Sequence, residues 1–267
     1  MVFRFLRHSA VPRSHRRDLC YTAPTKVETE YSSEVFAMQL FPTRRRLYLL
    51  RHGEVSYVEQ GHFVPPEGVA LNEQGRAQAA AAARVLTDVS LDRVVTSGLP
   101  RTVETARIVL GDRALPIEIV PDLHEIRGGR FGHLPPDDLR HTFVEALTRP
   151  LQAHDTFLLG EAFGDFRDRV LPALHALLAD RSWRTMLAVL HGAVNRVILA
   201  DVVGVDLHGL GHFEQDAGCI NVIDFNDAGY GIIRLCNYTP YNPLKAGLEL
   251  TTMERYFLEF APRDESR

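Results

Sequence analysis

The sequence predicts an α/β fold: a three-layer αβα sandwich whose sheet is mostly parallel and includes at least one antiparallel strand. Strand-like and helix-like segments alternate from Leu47 onward, the pattern that lays helices on both faces of a parallel sheet. Two short apolar runs, Leu47–Leu50 and Thr185–Leu190, lead into Arg51-His52-Gly53 and His191-Gly192, as buried strands running into loops do. Ile220–Phe225 and Gly231–Cys236 flank Asn226-Asp227-Ala228-Gly229-Tyr230, a hairpin signal that needs an antiparallel pair.

After the first strand, Asn72 caps an Ala-rich helix over 73–87. Asp92–Thr96 reads as a strand, and Pro100 suits the first turn of a helix that Gly111 stops near Leu110. Pro116–Val120 is a third candidate strand, followed by a Gly- and Pro-rich loop over 121–136. Helices are expected over Asp137–Thr148 and Phe163–Ala179, the second kinked or broken at Pro172. Thr185–Leu190 is followed by a helix over Val194–Val203. The tail from Asn237 shows no strong periodicity and is expected to wrap the surface or help close the site.

The chain has 267 residues, enough for one large domain or one domain plus an extension. Residues 1–45 read as a leader, with the catalytic domain over 46–267. Five arginines precede the first acid, Asp18, and no uninterrupted apolar stretch forms a secretory signal. A transit peptide, a disordered extension and a start codon misplaced upstream of Met38 all remain open. A net charge of −4 lacks the basic footprint of a nucleic-acid binder. No apolar run approaches the roughly 18 to 20 residues that span a bilayer, so no membrane partner is expected. Cys20, Cys219 and Cys236 lie far apart without C-x-x-C spacing, which argues against a disulfide framework or a zinc site and for a reducing, cytoplasmic setting.

Ligands of open α/β sheets bind at the carboxyl ends of the strands. That rule gathers Arg51-His52-Gly53, Thr96-Ser97 with Arg101, and His191-Gly192 on one rim. Taken singly these are weak signals: a His after a strand is usually solvated, and an Arg on a helix is usually a surface charge. Together, two arginines and two histidines suit a phosphate dianion. Guanidinium forks match its oxygens and stay charged, and histidine supplies a nucleophilic nitrogen or a further donor.

Leu49-Leu50-Arg51-His52-Gly53-Glu54 resembles the signature of the histidine phosphatase superfamily, the phosphoglycerate-mutase-like family. The resemblance continues in order through Leu71-Asn72-Glu73-Gln74-Gly75 with Gln78-Ala79, and Thr96-Ser97-Gly98-Leu99-Pro100-Arg101-Thr102 with Thr105-Ala106. Leu123-His124-Glu125, then Gly160-Glu161 with Arg169, and Leu190-His191-Gly192 complete it, covering about Arg46 to Cys236. The resemblance implies a metal-independent phosphomonoesterase that passes through a phosphohistidine on His52. Arg51, Arg101, His191 and Gly192 would surround the phosphate, and Glu125 would protonate the leaving group and then activate water. Glu161 is expected to be structural. No cofactor or metal is implied. The expected partner is a small phosphorylated substrate, with a homodimer left open.

The sequence departs from the family pattern at Val55, where Thr is common, and at Gly98, where Pro is frequent. Val58 and Phe63–Gly68 replace the Asn and Gly-Trp elements of the mutases, which disfavours a phosphoglycerate-type mutase. A non-catalytic phosphate-binding protein is disfavoured because every catalytic position is filled. Specificity is expected to come from 55–68, 123–145 and the tail, whose Phe63, Phe131, Phe143, Tyr238 and Tyr241 suggest an apolar or ring-bearing leaving group.

Overall fold

A computed structural model describes residues 44–59, 62–63, 65–129, 140–145 and 147–260. The expected leader lies outside them except for Arg44 and Arg45. These two open strand β1, Arg44–Arg51, two residues before Arg46. Arg45 sits 4.4 Å over the ring of Trp183 and donates to the carbonyls of Leu178 and Asp180, which holds the strand's start against its neighbours.

Two short strands follow, β2 (Val58–Glu59) and β3 (His62–Phe63), then helix α1 (Glu73–Val85), β4 (Arg93–Thr96), α2 (Pro100–Leu110) and β5 (Ile117–Ile119). Helix α3 (Phe163–Ala179), β6 (Thr185–Leu190) and α4 (Gly192–Val203) come next. The hairpin strands β7 (Ile220–Asn226) and β8 (Gly231–Tyr238) and the tail helix α5 (Thr252–Phe260) complete the order. The main sheet runs β5-β4-β6-β1-β7-β8. Its β5–β4, β4–β6 and β6–β1 pairs are parallel, and β1–β7 and β7–β8 are antiparallel.

The period-2 alternation of the central strands divides the core between the two faces. Leu47 and Leu49 of β1, with Met186, Ala188 and Leu190 of β6, pack under α3 and α4 on Phe166, Val170, Val194 and Ile198. Leu50, Leu187 and Val189 face the other way, onto Ala82, Leu86, Ala106 and Val109 of α1 and α2. Burying each such Leu or Val contributes about 1.5–3 kcal/mol. This two-sided burial explains why β1 and β6 read as unbroken apolar runs.

Three expectations change. Of the expected helix Asp137–Thr148, Arg140 is α-helical and His141–Glu145 form a π-helical turn, while 137–139 and 146 lie outside the described residues. Helix α3 passes through Pro172 without a break. Pro172 and Asp168, whose carbonyl loses its helical donor, are both exposed, so solvent can satisfy that carbonyl. The tail contains the helix α5, capped by a reciprocal pair in which Thr251 N–H donates to Glu254 Oε2 (2.7 Å) and Glu254 N–H to Thr251 Oγ1 (3.2 Å). Among the described residues no helix is long and apolar enough to cross a membrane.

Candidate active site

Sheet register assembles the site. Arg51 pairs with Leu190, and Thr96 with Val189, so β1, β4 and β6 end at one level. The next residues, His52, Ser97 and His191, therefore meet on the rim. Arg51, His52, Arg101 and His191 are only 4%, 2%, 1% and 0% exposed.

The backbone after β1 is held on every side. His52 N–H donates to the Leu190 carbonyl (3.0 Å), and the His52 carbonyl accepts from Gly218 N–H (3.0 Å). Gly53 N–H donates to Thr105 Oγ1 (3.2 Å) and Glu54 N–H to Gln78 Oε1 (2.8 Å), which gives Gln78 and Thr105 their roles. Asn72 caps α1 by accepting from Gly75 N–H (2.8 Å), and its amide reaches Glu54 and Ser56. Gly53 and Gly75 pack backbone on backbone, so a Cβ on either would enter the other segment's main chain. Gly75→Ala is expected to cost about 1–3 kcal/mol or more, lowering the melting temperature by several degrees. It should also weaken catalysis by shifting His52. Thermal unfolding of the variant at the wild-type temperature would disprove that packing.

His52 has a defined tautomer. Nδ1 lies 2.7 Å from the Gly53 carbonyl, which only accepts, so Nδ1 carries the hydrogen and Nε2 keeps its lone pair. Arg101 Nε donates to that Nε2 at 3.2 Å, and its Nη1 bonds the Pro66 carbonyl. Burial first, then the charges of Arg101 and Arg51, push the His52 pKa well below the usual imidazole value, leaving the ring neutral and nucleophilic. His191 lies edge-on to His52, ring centres 5.2 Å apart. Its Nε2 is 2.8 Å from Ser97 Oγ, and its buried Nδ1 has no hydrogen-bond partner among the described residues. Burial and Arg101 depress its pKa as well.

Glu125 lines the same cavity, with Oε1 accepting from Ile126 N–H (3.0 Å) and Oε2 from Ala193 N–H at the start of α4 (3.2 Å). Its loop is clamped from behind. Arg169 donates to the carbonyls of Asp122, His124 and Glu125 and pairs with Glu161 at 2.7 Å. Glu161 also accepts from Arg127 N–H (2.9 Å). Burial works against the Glu161 charge, but Arg169 and that N–H outweigh it and hold the pKa below the usual range. Through Arg169 and Arg127, Glu161 supports the loop that carries Glu125. Gly192 borders Arg51 and Glu125: a Cβ there would lie 3.4 Å from Arg51 Nε and 3.8 Å from Glu125 Oε2.

These groups open on a cavity of about 240 Å³. Beyond the charged end its wall is apolar, with Phe143, Leu147, Phe157, Leu158 and Met253. Tyr57, Pro66, His124, Phe143 and Tyr256 on the wall come from the three segments expected to set specificity. Tyr238 packs beneath the sheet and Tyr241 bonds the Ala217 carbonyl, so neither joins the described wall. The side chains of Phe63 and Phe131 lie outside the described residues.

The model of the histidine phosphatase superfamily (branch 1) matches residues 47–238. The chain belongs to the histidine phosphatase superfamily. An adenosylcobalamin/α-ribazole phosphatase of Escherichia coli (strain K12) is 31% identical over 194 residues, covering 72% of this chain and 95% of that protein. The crystal structure of the α-ribazole phosphatase from Shigella flexneri superposes with a TM-score of 0.62 at 32% identity, covering 73% of this chain and 96% of that one. A 6-phosphofructo-2-kinase/fructose-2,6-bisphosphatase of Rattus norvegicus is 30% identical over 169 residues, 62% of this chain and 29% of that protein.

As a histidine phosphatase, the chain is a phosphomonoester hydrolase. The structure explains its departures from the family's pattern. Val55 packs in a small apolar cluster with Val69, Leu71 and Ala79, where a hydroxyl would find no use. Gly98 has φ of 93°, a value closed to the proline frequent there. Thr252, Tyr256 and Gln215, which bond Arg51, were not foreseen. The Thr-x-x-Glu capping pattern at Thr251 and Glu254 was the available signal.

Proposed function

We propose that the protein hydrolyses small phosphomonoesters by two successive displacements on His52. The observation that carries this is the locked ring: Nδ1 donates to the Gly53 carbonyl, so Nε2 keeps its lone pair beside Arg101, on a residue that lines the cavity with Arg51 and Arg101. In the first step Nε2 attacks phosphorus. The P–O ester bond breaks onto the leaving oxygen, which takes its proton from the Glu125 carboxyl group. In the second step Glu125 as carboxylate removes a proton from water, and the resulting oxygen attacks phosphorus. The P–N bond then returns its electrons to Nε2. Arg51, Arg101 and His191 stabilise charge on the transferring oxygens, with the Gly192 backbone beside them.

The apolar wall supports a leaving group bearing a ring or hydrocarbon surface, of the kind the α-ribazole phosphatase relatives' name describes. The cysteine pattern supports a cytoplasmic setting, and the residues before β1 are read as a leader to the catalytic domain.

A panel of esters tests this reading, with free phosphate as the readout. α-Ribazole 5′-phosphate and aryl phosphates are expected to exceed 3-phosphoglycerate in kcat/KM by about tenfold or more, the worth of one well-buried apolar group. Because arginine supplies the positive charge, EDTA should leave turnover unchanged. Isomerised phosphoglycerate instead of free phosphate, or activity lost to EDTA and restored by a divalent metal, would contradict the mechanism.

A further inference from the structure

We propose that Tyr256 is a positioning residue for Arg51, so that the tail helix α5 is part of the phosphate grip. This role rests on Arg51 binding phosphate, as proposed above. A guanidinium has five N–H groups, and on Arg51 protein oxygens take one side of the fork. Nη1 donates to the Gln215 carbonyl (2.5 Å) and to Thr252 Oγ1 (3.3 Å), and Nη2 donates to Tyr256 Oη (2.7 Å). Nε is buried and without a hydrogen-bond partner among the described residues. Nε–H and the remaining Nη2–H are left as a pair of donors on one edge, the edge beside Gly192 and the cavity. Such an edge suits two oxygens of one phosphate. The tyrosine hydroxyl thus holds the back of the fork and fixes where its front points.

The helix that carries this hydroxyl is itself fastened. Asp216 pairs with Arg255 (2.7 Å) and Lys245 (3.0 Å), and accepts from Asn237 Nδ2 (3.0 Å). Thr252 Oγ1 donates to Glu214 Oε1 (2.7 Å), and Glu259 accepts from Tyr57 N–H (2.9 Å). Met253, Tyr256 and Phe257 pack on Phe143, and the Tyr256 ring meets Tyr57 edge-on at 5.6 Å. The superfamily match ends at residue 238, so the signature arginine takes two of its partners from a helix outside the matched stretch.

Tyr256→Phe tests the role, because it keeps the ring packing and removes only the hydroxyl. A hydrogen bond to a charged group is worth enough that losing it should raise the vanadate inhibition constant and KM about tenfold. kcat should change less, and the melting temperature should hold. Vanadate inhibition is the deciding readout, since a loss of folded protein lowers the rate without changing that constant. Thr252→Val, which takes a second hydroxyl from the same guanidinium, should move it the same way by less and serves if Tyr256→Phe fails to fold. An unmoved constant overturns the role. A tighter one does too, since Tyr256 would then be competing for the phosphate's seat. If the unaltered chain hydrolyses no phosphomonoester, the reading of the whole site fails; wild-type turnover with an unmoved constant sinks only the part given to Tyr256.

Discussion

His52→Ala is expected to lower turnover by on the order of 10⁴-fold or more, the scale seen when a covalent nucleophile is removed. The fold should be retained, because the backbone N–H and carbonyl of this residue, which alanine keeps, hold the main chain to Leu190 and Gly218. Acid-quenched wild-type enzyme given labelled substrate should carry an acid-labile, base-stable phosphoryl group on His52. Ser97 is the competing acceptor, since its hydroxyl sits 2.8 Å from His191 Nε2 in the manner of a serine beside a general base. Among the described residues that arrangement lacks the third member that orients such a base, for His191 Nδ1 has no hydrogen-bond partner there. Label recovered on Ser97, or a His52→Ala protein that still turns over at a tenth of the wild-type rate, would overturn the mechanism.

Glu125→Gln should separate substrates by their leaving groups. An alkoxide leaves only with a proton, and general acid catalysis supplies about 10²- to 10⁴-fold. Simple alkyl phosphates should lose that much in single-turnover formation of the phosphoenzyme. p-Nitrophenyl phosphate, whose phenolate leaves unaided, should lose far less in that step, although dephosphorylation slows for both. The Gln side chain still offers an oxygen to Ala193 N–H or Ile126 N–H, so the loop should stay in place. An equal loss for both kinds of ester in the first step would make Glu125 a structural residue.

Much of this was legible in the chain. Leu47–Leu50 and Thr185–Leu190 are apolar on both faces and end in chemically loaded triplets, so strand, burial and rim position follow from a few adjacent residues. Glu125 could be named from its motif, but the motif does not contain what supports it. Glu161 and Arg169 stand in the pattern too, but what Arg169 holds, main-chain carbonyls of a loop 44 to 47 residues away, leaves no mark in the sequence. Tyr256 was missed for a related reason: α5 spans nine residues, too few for its periodicity to stand out, although its capping box was present. The antiparallel pairing of β1 with β7 was not readable either, because a strand buried on both faces gives no signal of the direction of its neighbour.

The two depressed imidazoles couple this enzyme to protons before any bond is broken. Below about pH 6.5 an unfolded chain would protonate both rings, whereas His52 and His191 in the folded chain resist until the pH is well lower. The unfolded state then holds more protons, so the stability of the folded state falls as the pH drops through that window. With a phosphate bound beside these rings, as proposed above, its negative charge would favour the imidazolium form of His191. Phosphate binding would then bring a proton with it, and the acidity that weakens the unliganded fold would favour that uptake.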